Sequence, residues 1–420
     1  VRRLPALPVY LGLELVASLA FMVTFTVTNV YYVTEVGMSP LQLVLCGTAM
    51  ELAIFAFEVP TGVVADTVSR RLSVIVSYVI LGVATIFFGA VASAPLIIAA
   101  YALWGIGYTF QSGAYEAWIA DEVGPDRLTR VLLRGSQAGW VGALAGVAIS
   151  TVVASVDLQA AIVGGGVLLL VIAGALALLM PETGFTPGHR QDGEVGVRAF
   201  LSTARRGGRL VRGHRLLLLM LAIAFFFGMW TESIDRLWQA QLLTEVGLPD
   251  VDGVSDVVWI GVITAATMVI GIVVDQLAVT RLEKASSRRL AQVLLWLNAA
   301  LVPAALLFAL AVSPALAILA YLAVCACRGL VLPLQSAWMN RTIEDASVRA
   351  TVLSIVSQSD AVGQVAGGPA IGAVGSSVGL RPALALGAAA LAPALALYGR
   401  AVRHHGAEPE LAALGTEADA

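Results

Sequence analysis

Charge is what this sequence has least of. Only 13% of its 420 residues are Asp, Glu, Lys or Arg, about half the roughly 25% usual in soluble domains. Lysine is nearly absent: Lys284 is the only one, and every other basic residue is arginine. A soluble globular class is thereby excluded, since so few charges cannot cover the surface of a chain this long. Cysteine is scarce as well. Cys46, Cys325 and Cys327 all lie in apolar segments, and Cys325 and Cys327, two apart, point to different helix faces, so neither a disulfide framework nor a zinc site is expected. The four histidines lack ligand spacing; no metal and no cofactor are expected. There is no Gly-x-x-x-x-Gly-Lys-Ser/Thr run, so nothing indicates ATP use. No nucleophile–base–metal set points to an enzyme, and no nucleic-acid partner is expected.

What fills the sequence is apolar. The residues AVILMFWYC make up 59% of it, and the mean hydropathy is +0.87. A membrane-spanning helix needs about 20 apolar residues. With Pro, Gly and charge clusters as punctuation, twelve such segments fall at roughly 8–33, 40–67, 71–93, 95–122, 128–154, 157–180, 214–243, 255–279, 289–312, 314–340, 347–376 and 380–402. The first is longer than the apolar region of a signal peptide and is expected to be an uncleaved anchor.

Two passages recur. Thr34-Glu35-Val36-Gly37-Met38 returns 210 positions on as Thr244-Glu245-Val246-Gly247-Leu248, and Gly62-Val63-Val64-Ala65-Asp66 returns 209 on as Gly271-Ile272-Val273-Val274-Asp275. Tyr101 and Trp118 are matched by Tyr321 and Trp338 at an offset of 220. Each copy holds the same place in the series of apolar segments, so the chain reads as a six-helix unit duplicated in tandem. Two like halves in a bilayer are the architecture of alternating access. The expected fold is an all-α polytopic membrane protein, twelve transmembrane helices in two pseudo-symmetric six-helix bundles. The bundles are 1–180 and 214–403, joined by a cytoplasmic linker at 181–213 and followed by a disordered tail at 404–420.

Arginine placement orients the helices. With the N-terminus inside, the cytoplasmic turns and flanks collect 22 of the 25 basic residues, while the outer loops hold Arg381 alone and Arg236 and Arg328 stay within spans. That asymmetry obeys the positive-inside rule and puts both termini in the cytoplasm. In the linker, Arg198, Arg205, Arg209 and Arg212 share one helical face, with Phe200, Ala204 and Val211 opposite. The pattern suits a short helix on the inner membrane surface or, equally, a flexible basic linker. Arginine in place of lysine, with abundant Ala, Gly and Val, points to a GC-rich bacterial genome.

Between the second and third segments stands Gly62-x-x-x-Asp66-x-x-Ser69-Arg70-Arg71, preceded by Glu58-Val59-Pro60-Thr61. Glycine lets a neighbouring helix approach, a carboxylate there can face a helix N-terminus, and paired arginines anchor the turn at anionic headgroups. Pro181-Glu182-Thr183-Gly184-Phe185 follows the sixth segment. Together these resemble the major facilitator superfamily of transporters. The first run is similar to its G-x-x-x-D-x-x-G-R-R/K motif, with Ser69 in place of the second glycine. The Glu-x-Pro-Thr-Gly run looks like that of bacterial multidrug-efflux members, and the third resembles the family's Pro-Glu-Ser/Thr run. The resemblance implies a gating role for Gly62, Asp66, Arg70 and Arg71, by docking this turn on helix 11 at the cytoplasmic side. Asp275 duplicates Asp66, but the arginine pair is displaced to Arg288-Arg289, so a weaker second gate is expected.

Two departures bear on energy coupling. Leu103-Trp104-Gly105-Ile106-Gly107 has the glycines of the family's helix 4 motif and lacks the arginine usual in proton antiporters. Helix 5 carries Gly135, Gly139, Gly142 and Gly146 where those members have a Gly-Pro pair, and helix 11 carries Gly363-x-x-x-Gly367-Gly368-Pro369-x-x-Gly372. Small residues at this spacing allow close helix packing, and Pro369 permits a bend. Proton coupling therefore stays open.

A charge near the bilayer centre costs about 2.5–3.5 kcal/mol on insertion scales, so each needs a partner, water or a role. Glu51 falls mid-way along helix 2, Arg328 along helix 10, Asp360 in helix 11, Glu232, Asp235 and Arg236 in helix 7, Glu116 and Arg134 in helices 4 and 5, and Glu14 early in helix 1. Glu51, Arg328, Asp360, Glu232 and Arg236 are the candidate proton or substrate groups. Each has a structural alternative. Glu232 and Arg236 are an i,i+4 pair, Arg328 and Asp360 or Glu116 and Arg134 would pair across helices, and Glu51 would turn to Gln111 or Gln137. In the family fold, helices 1, 2, 4, 5, 7, 8, 10 and 11 line the cavity, and every deep charge here falls in that set. Asn29, Tyr31, Gln111, Gln137, Gln358 and Gln364 are candidate lining. The expectation is a monomeric multi-pass transporter of the bacterial cytoplasmic (inner) membrane, working by alternating access. Its partners are a small-molecule substrate, the lipid bilayer and, if coupled, protons, and its substrate is a drug or secondary metabolite moved outward. An uptake permease or facilitator is the alternative, and a non-transporting receptor or scaffold the remoter one.

Overall fold

The computed structural model describes residues 3–186, 215–282, 285–343 and 346–404. The expected linker helix at 198–212 and nearly all of the 404–420 tail lie outside them. Among the described residues the secondary structure is helical, with no strand. α1 (Ala6–Phe25) and α2 (Thr28–Tyr31) run into a π-helical turn (Tyr32–Val36); α3 (Pro40–Thr67), α4 (Arg70–Ala90), α5 (Ala94–Gln111), α6 (Ala114–Val123), α7 (Pro125–Ala154) and α8 (Leu158–Leu179) follow. After the linker come α9 (Arg215–Ala240), a second π-helical turn (Gln241–Val246), α10 (Asp256–Leu282), α11 (Ser287–Leu310), α12 (Pro314–Thr342), α13 (Ala346–Ser377), α14 (Leu380–Ala390) and α15 (Ala392–His404).

Among the described residues, ten helical runs are long and apolar enough to cross a membrane. The long stretches outside that set are α5–α6, which is interrupted, and α13, whose Ser354, Ser357, Gln358, Ser359, Asp360 and Gln364 lower its hydropathy. Large apolar side chains stand on outer faces, Val152 69% and Trp296 73% exposed, a surface suited to lipid rather than water.

Helix starts follow local chemistry. Ser39 opens α3 with a capping box: its hydroxyl accepts from the Gln42 N–H at 3.4 Å, the Gln42 side chain accepts from the Ser39 N–H at 2.9 Å, and Pro40 takes the first helical position. Ser69, Asp157, Ser286 and Ser313 cap α4, α8, α11 and α12. Three spans expected to be continuous are interrupted. The 8–33 segment breaks at Thr26-Val27, between α1 and α2. The 95–122 segment breaks at Ser112-Gly113, where Gly113 takes a φ of 72° that only glycine adopts without strain. The 380–402 segment breaks at Leu391, two residues before Pro393, which has no N–H for the preceding turn.

The chain forms two compact units, Val1–Phe200 with Asp250–Ala265, and Leu201–Pro249 with Ala266–Ala420. Residues 250–265 group with the first unit, where Gly261 lies so near Thr151 that an added Cβ would stand 2.0 Å from the hydroxyl oxygen.

Each unit is knit by glycine contacts. In unit 1, α1 packs on α7: a Cβ at Gly142 would stand 1.9 Å from the Leu15 carbonyl oxygen, and one at Gly146 2.5 Å from that of Leu19. In unit 2, α9 packs on α13 in the same way: a Cβ at Gly363 would stand 2.1 Å from the Phe225 carbonyl oxygen, and one at Gly228 2.1 Å from that of Asp360. Small residues at these crossings let backbones touch. The repeated passages take the same form in both units. Thr34 donates to the Val30 carbonyl and Thr244 to that of Ala240, both at 2.8 Å, and each π-helical turn ends on a positive-φ glycine, Gly37 at 71° and Gly247 at 81°. Tyr101 stacks on Phe88 at 4.3 Å and Tyr321 on Trp238 at 4.4 Å.

Candidate substrate clefts and the motif turn

In unit 1, α1, α4 and the interrupted α5–α6 helix enclose a cleft of about 460 Å³. Glu14, Ser18 and Phe21 face it from α1, spaced four and three apart so that they share one helical face. Tyr78 faces it from α4, and Tyr108, Gln111, Ser112, Tyr115 and Glu116 from either side of the break. Its charged lining is two carboxylates, Glu14 and Glu116, with no basic side chain. Tyr10, Tyr78 and Tyr115 all lie within reach of the Glu14 charge, and Tyr10 stacks on Tyr115 at 5.4 Å.

In unit 2, α9, α12 and α13 enclose a cleft of about 500 Å³. Arg328 is held there by both carboxylate oxygens of Asp235, Nη2 to Oδ2 at 2.8 Å with Nη1 to Oδ1 completing the fork. Its guanidinium also lies 5.9 Å from the Trp230 ring centroid. The alternative of an Arg328–Asp360 pair is not realised among the described residues. Asp235 takes both arms of the guanidinium, and Asp360 instead accepts from the Gln364 amide at 2.8 Å, one helical turn away. Glu232 and Arg236 do pair, at 3.2 Å, with Glu232 only 3% exposed. Nor is the other cross-helix alternative realised: Glu116 lines the first cleft, Arg134 stands exposed on α7, and no ion pair joins them among the described residues.

The two clefts are built from equivalent positions. Ala224, Phe227 and Thr231 on α9 lie 210 positions after Glu14, Ala17 and Phe21 on α1. Arg328, Leu332, Pro333, Gln335 and Ser336 lie 220 after Tyr108, Ser112, Gly113, Tyr115 and Glu116. These are the offsets of the sequence repeat, so the duplication carries a polar cleft at the same place in each unit.

The other candidates divide. Gln111 lies in the lining of the first cleft and Gln364 in that of the second. Tyr31 does not: it is 0% exposed and its hydroxyl accepts from the Gln159 amide at 3.1 Å, so it packs the core. Asn29 and Gln358 are half-buried and Gln137 is exposed, none of them in either lining. Glu51 is half-buried on α3, near enough for its charge to act on Tyr108 at the cleft wall.

The motif turn is held within unit 1. Arg70 donates to the Ala117 carbonyl at 2.8 Å and pairs with Asp121, both on α6. Glu182 accepts from the Ser69 hydroxyl at 2.8 Å and the Arg71 N–H at 2.9 Å, placing a carboxylate at the start of α4, where the helix dipole favours it. Arg71 reaches the Ala177 carbonyl. Glu122 accepts from the Thr183 hydroxyl at 2.7 Å and the Gly184 N–H at 2.8 Å, and the Trp118 indole donates to the Pro181 carbonyl at 2.7 Å. The Pro181–Phe185 run is thus a strap joining the start of α4 to α6. Asp66 is turned outward, 71% exposed and 4.0 Å from Arg70. Within unit 1 the turn is held by Ser69, Arg70 and Arg71.

The two units are alike, each exposing apolar side chains and each holding a cleft with charged side chains in its lining. A sequence profile of the Major Facilitator Superfamily matches residues 11–356, and the chain belongs to that family of transporters, which are not enzymes. One curated relative is the uncharacterized MFS-type transporter YxaM of Bacillus subtilis (strain 168), 24% identical over 212 residues, 50% of this chain and 52% of the relative. The chain therefore aligns with about half the length of the curated relative it matches. Among solved structures, the nucleoside transporter NupG superposes with a TM-score of 0.75 at 10% identity, covering 96% of this chain and 99% of that one. A bacterial homolog of the human lysosomal transporter Spinster, inward-facing and unoccupied, gives 0.73 at 16%, covering 94% and 96%. At such identities the likeness is one of fold.

Proposed function

We propose that this chain is a secondary active transporter that exports a small amphipathic molecule, cationic or neutral, across the bacterial cytoplasmic membrane by alternating access. In this reading all twelve helical segments span the membrane, both termini and the 181–213 linker face the cytoplasm, and the transporter acts as a monomer. The charge of the clefts carries the reading. Glu14 and Glu116 line the first without a basic side chain, and in the second Asp235 already neutralises Arg328, leaving Asp360 in excess. Acidic charge in a low-dielectric cleft attracts cations and repels anions, while Phe21, Tyr78, Tyr108 and Tyr115 offer rings to an apolar body or to the cation itself.

Export rather than uptake is supported by the Glu58-Val59-Pro60-Thr61-Gly62 run and its likeness to efflux members. Glu51 is the proton carrier in this scheme, and the outward carboxylate of Asp66 serves the gate that the resemblance implies. The missing arginine in Leu103–Gly107 favours a second reading, a facilitator without proton coupling. Energised everted membrane vesicles test the direction. Tetraphenylphosphonium should accumulate in them only when the protein is present; protein-dependent accumulation in right-side-out vesicles would establish uptake instead.

A further inference from the structure

Unit 1 holds a second cavity, of opposite character to its cleft. Between α1 and α8 runs a groove of about 250 Å³ whose lining has no charged or polar side chain. Leu4, Pro8, Gly12 and Val16 recur in it every four residues, on one side of the chain entering and forming α1, and Leu168 to Leu179 supply the facing wall. Glu14 and Ser18 leave α1 on its other side, toward the cleft.

The groove exists because the two helices meet closely at one end and splay toward the other. Far from Leu4 they touch: a Cβ at Gly165 would stand 2.1 Å from the Thr24 hydroxyl oxygen and 3.0 Å from the Ala20 carbonyl oxygen. At the splayed end the Leu4 N–H donates to the Leu179 carbonyl at 3.2 Å and closes the mouth. Gly12 forms the floor between. Glycine weakens a helix interior, and at Gly142 of α7 a neighbouring backbone explains it. At Gly12 no described atom lies within 4 Å of where a Cβ would stand, so the missing side chain leaves room in the groove.

Depth and charge describe an occupant. From Leu168 to Leu179 the wall is about 16 Å long at 1.5 Å per residue, close to half of a hydrocarbon core of about 30 Å, which is the depth of one leaflet. Leu4 and Val171, both exposed, carry the groove out to the apolar surface. Arg3 stands exposed next to the mouth, follows Arg2 in the sequence, and makes no ion pair among the described residues. Glu182, the carboxylate that follows α8, is engaged by the Ser69 hydroxyl and the Arg71 N–H. An apolar channel one leaflet deep that ends at an arginine matches a lipid with an anionic headgroup.

We propose that this groove seats an acyl chain of an anionic phospholipid, with the headgroup phosphate at Arg3. The seated chain packs against the helix that carries Glu14, so the lipid braces the wall of the first cleft from behind. The proposal goes beyond the transport reading and depends on neither its direction nor its coupling.

Phosphatidylglycerol and phosphatidylcholine with the same diazirine-bearing acyl chain test it on the full-length chain in detergent, the attachment sites being mapped by peptide mass spectrometry. Phosphatidylglycerol should label residues 4–16 and 168–179 about fivefold more than phosphatidylcholine, the worth of one arginine at an anionic surface. Gly12→Phe should abolish labelling there, because the ring takes the chain's place. Gly164→Phe, on α8 outside the groove and equally free of neighbours within 4 Å, should keep it. Arg2→Gln with Arg3→Gln should bring phosphatidylglycerol down to the phosphatidylcholine level. Undiminished labelling in Gly12→Phe would overturn the groove as the site. Equal labelling by the two lipids, or a preference that survives the double arginine variant, would overturn the anionic headgroup. If Gly12→Phe does not fold, the map of the unchanged protein decides: label spread evenly over the apolar surface would overturn the proposal, and label concentrated in the groove would uphold it. No flux enters these readings, so a failed lipid site and a failed export reading are told apart.

Discussion

Replacing Gly142 with alanine measures how closely α1 and α7 must meet. The added Cβ would stand 1.9 Å from the Leu15 carbonyl oxygen and 2.8 Å from its carbon, whereas real contacts of this kind essentially never fall below 3.0 Å. The obstacle is backbone and cannot swing aside, so the helices must part by on the order of 1 Å, and gaps of that size forfeit a quarter to a half of each neighbouring van der Waals contact. Overpacking costs typically about 1–3 kcal/mol, and two rigid backbones place this site at the upper end. Gly139→Ala is the control on the same helix: its Cβ would meet the Ser18 hydroxyl at 3.2 Å, a group free to turn, and the nearest backbone only at 3.9 Å. Alanine's better helix propensity helps both variants by about 1 kcal/mol, leaving a difference between them of about 3 kcal/mol. At about 2–4 °C per kcal/mol for a body of 150–250 residues, Gly142→Ala should melt roughly 6–12 °C below Gly139→Ala in detergent by scanning fluorimetry. Equal melting temperatures would refute the claim that this crossing is set by backbone contact at glycine.

Arg70→Ala should cost more transport than Asp66→Asn at equal membrane expression, because Arg70 is tied to α6 while Asp66 is largely exposed; the reverse order in a flux assay would remove the strap from the account. Glu51→Gln should abolish flux driven by an imposed pH gradient in proteoliposomes while leaving tetraphenylphosphonium affinity within about tenfold, that is about 1.4 kcal/mol. Unaltered gradient-driven flux would take the coupling role away from Glu51. Single cysteines at Gly193 and Gly406 should be labelled only from the cytoplasmic side, and periplasmic labelling at either would end the twelve-span topology.

The helices were legible in the sequence because their signals are local. Apolar runs, Ser and Asp caps and Pro punctuation each act within a turn or two, and Ser39-Pro40-Leu41-Gln42 announces its own capping box. The interruptions of the expected spans are not legible in this way. Gly113 and Pro393 look like many residues tolerated within long membrane helices, and tertiary context decides which of them breaks the helix. Among site residues, Gln111 and Gln364 reached the clefts, but Glu14 was not among the residues singled out for function. Its signal is the spacing of Glu14 and Ser18, two polar residues one turn apart on a mostly apolar helix. Partner choice was the least legible feature. Nothing near Arg328 in the chain says that Asp235, 93 positions earlier, takes it rather than Asp360. The strap is likewise invisible until folding brings Glu182 beside Ser69 and Glu122 beside Thr183.

The acidic character of the two clefts is the centre of the functional account, and flux of a charge-matched series measures it most directly. Purified protein in proteoliposomes would be given three compounds of equal size and apolar body, one quaternary ammonium, one neutral and one carboxylate. With Glu14, Glu116 and Asp360 in excess over the neutralised Arg328, the cation and the neutral compound should be carried and the anion excluded, and Glu14→Gln should weaken the preference for the cation. Selective transport of the anion, undiminished in Glu14→Gln and lost in Arg328→Ala, would make Arg328 a substrate clamp and contradict the account.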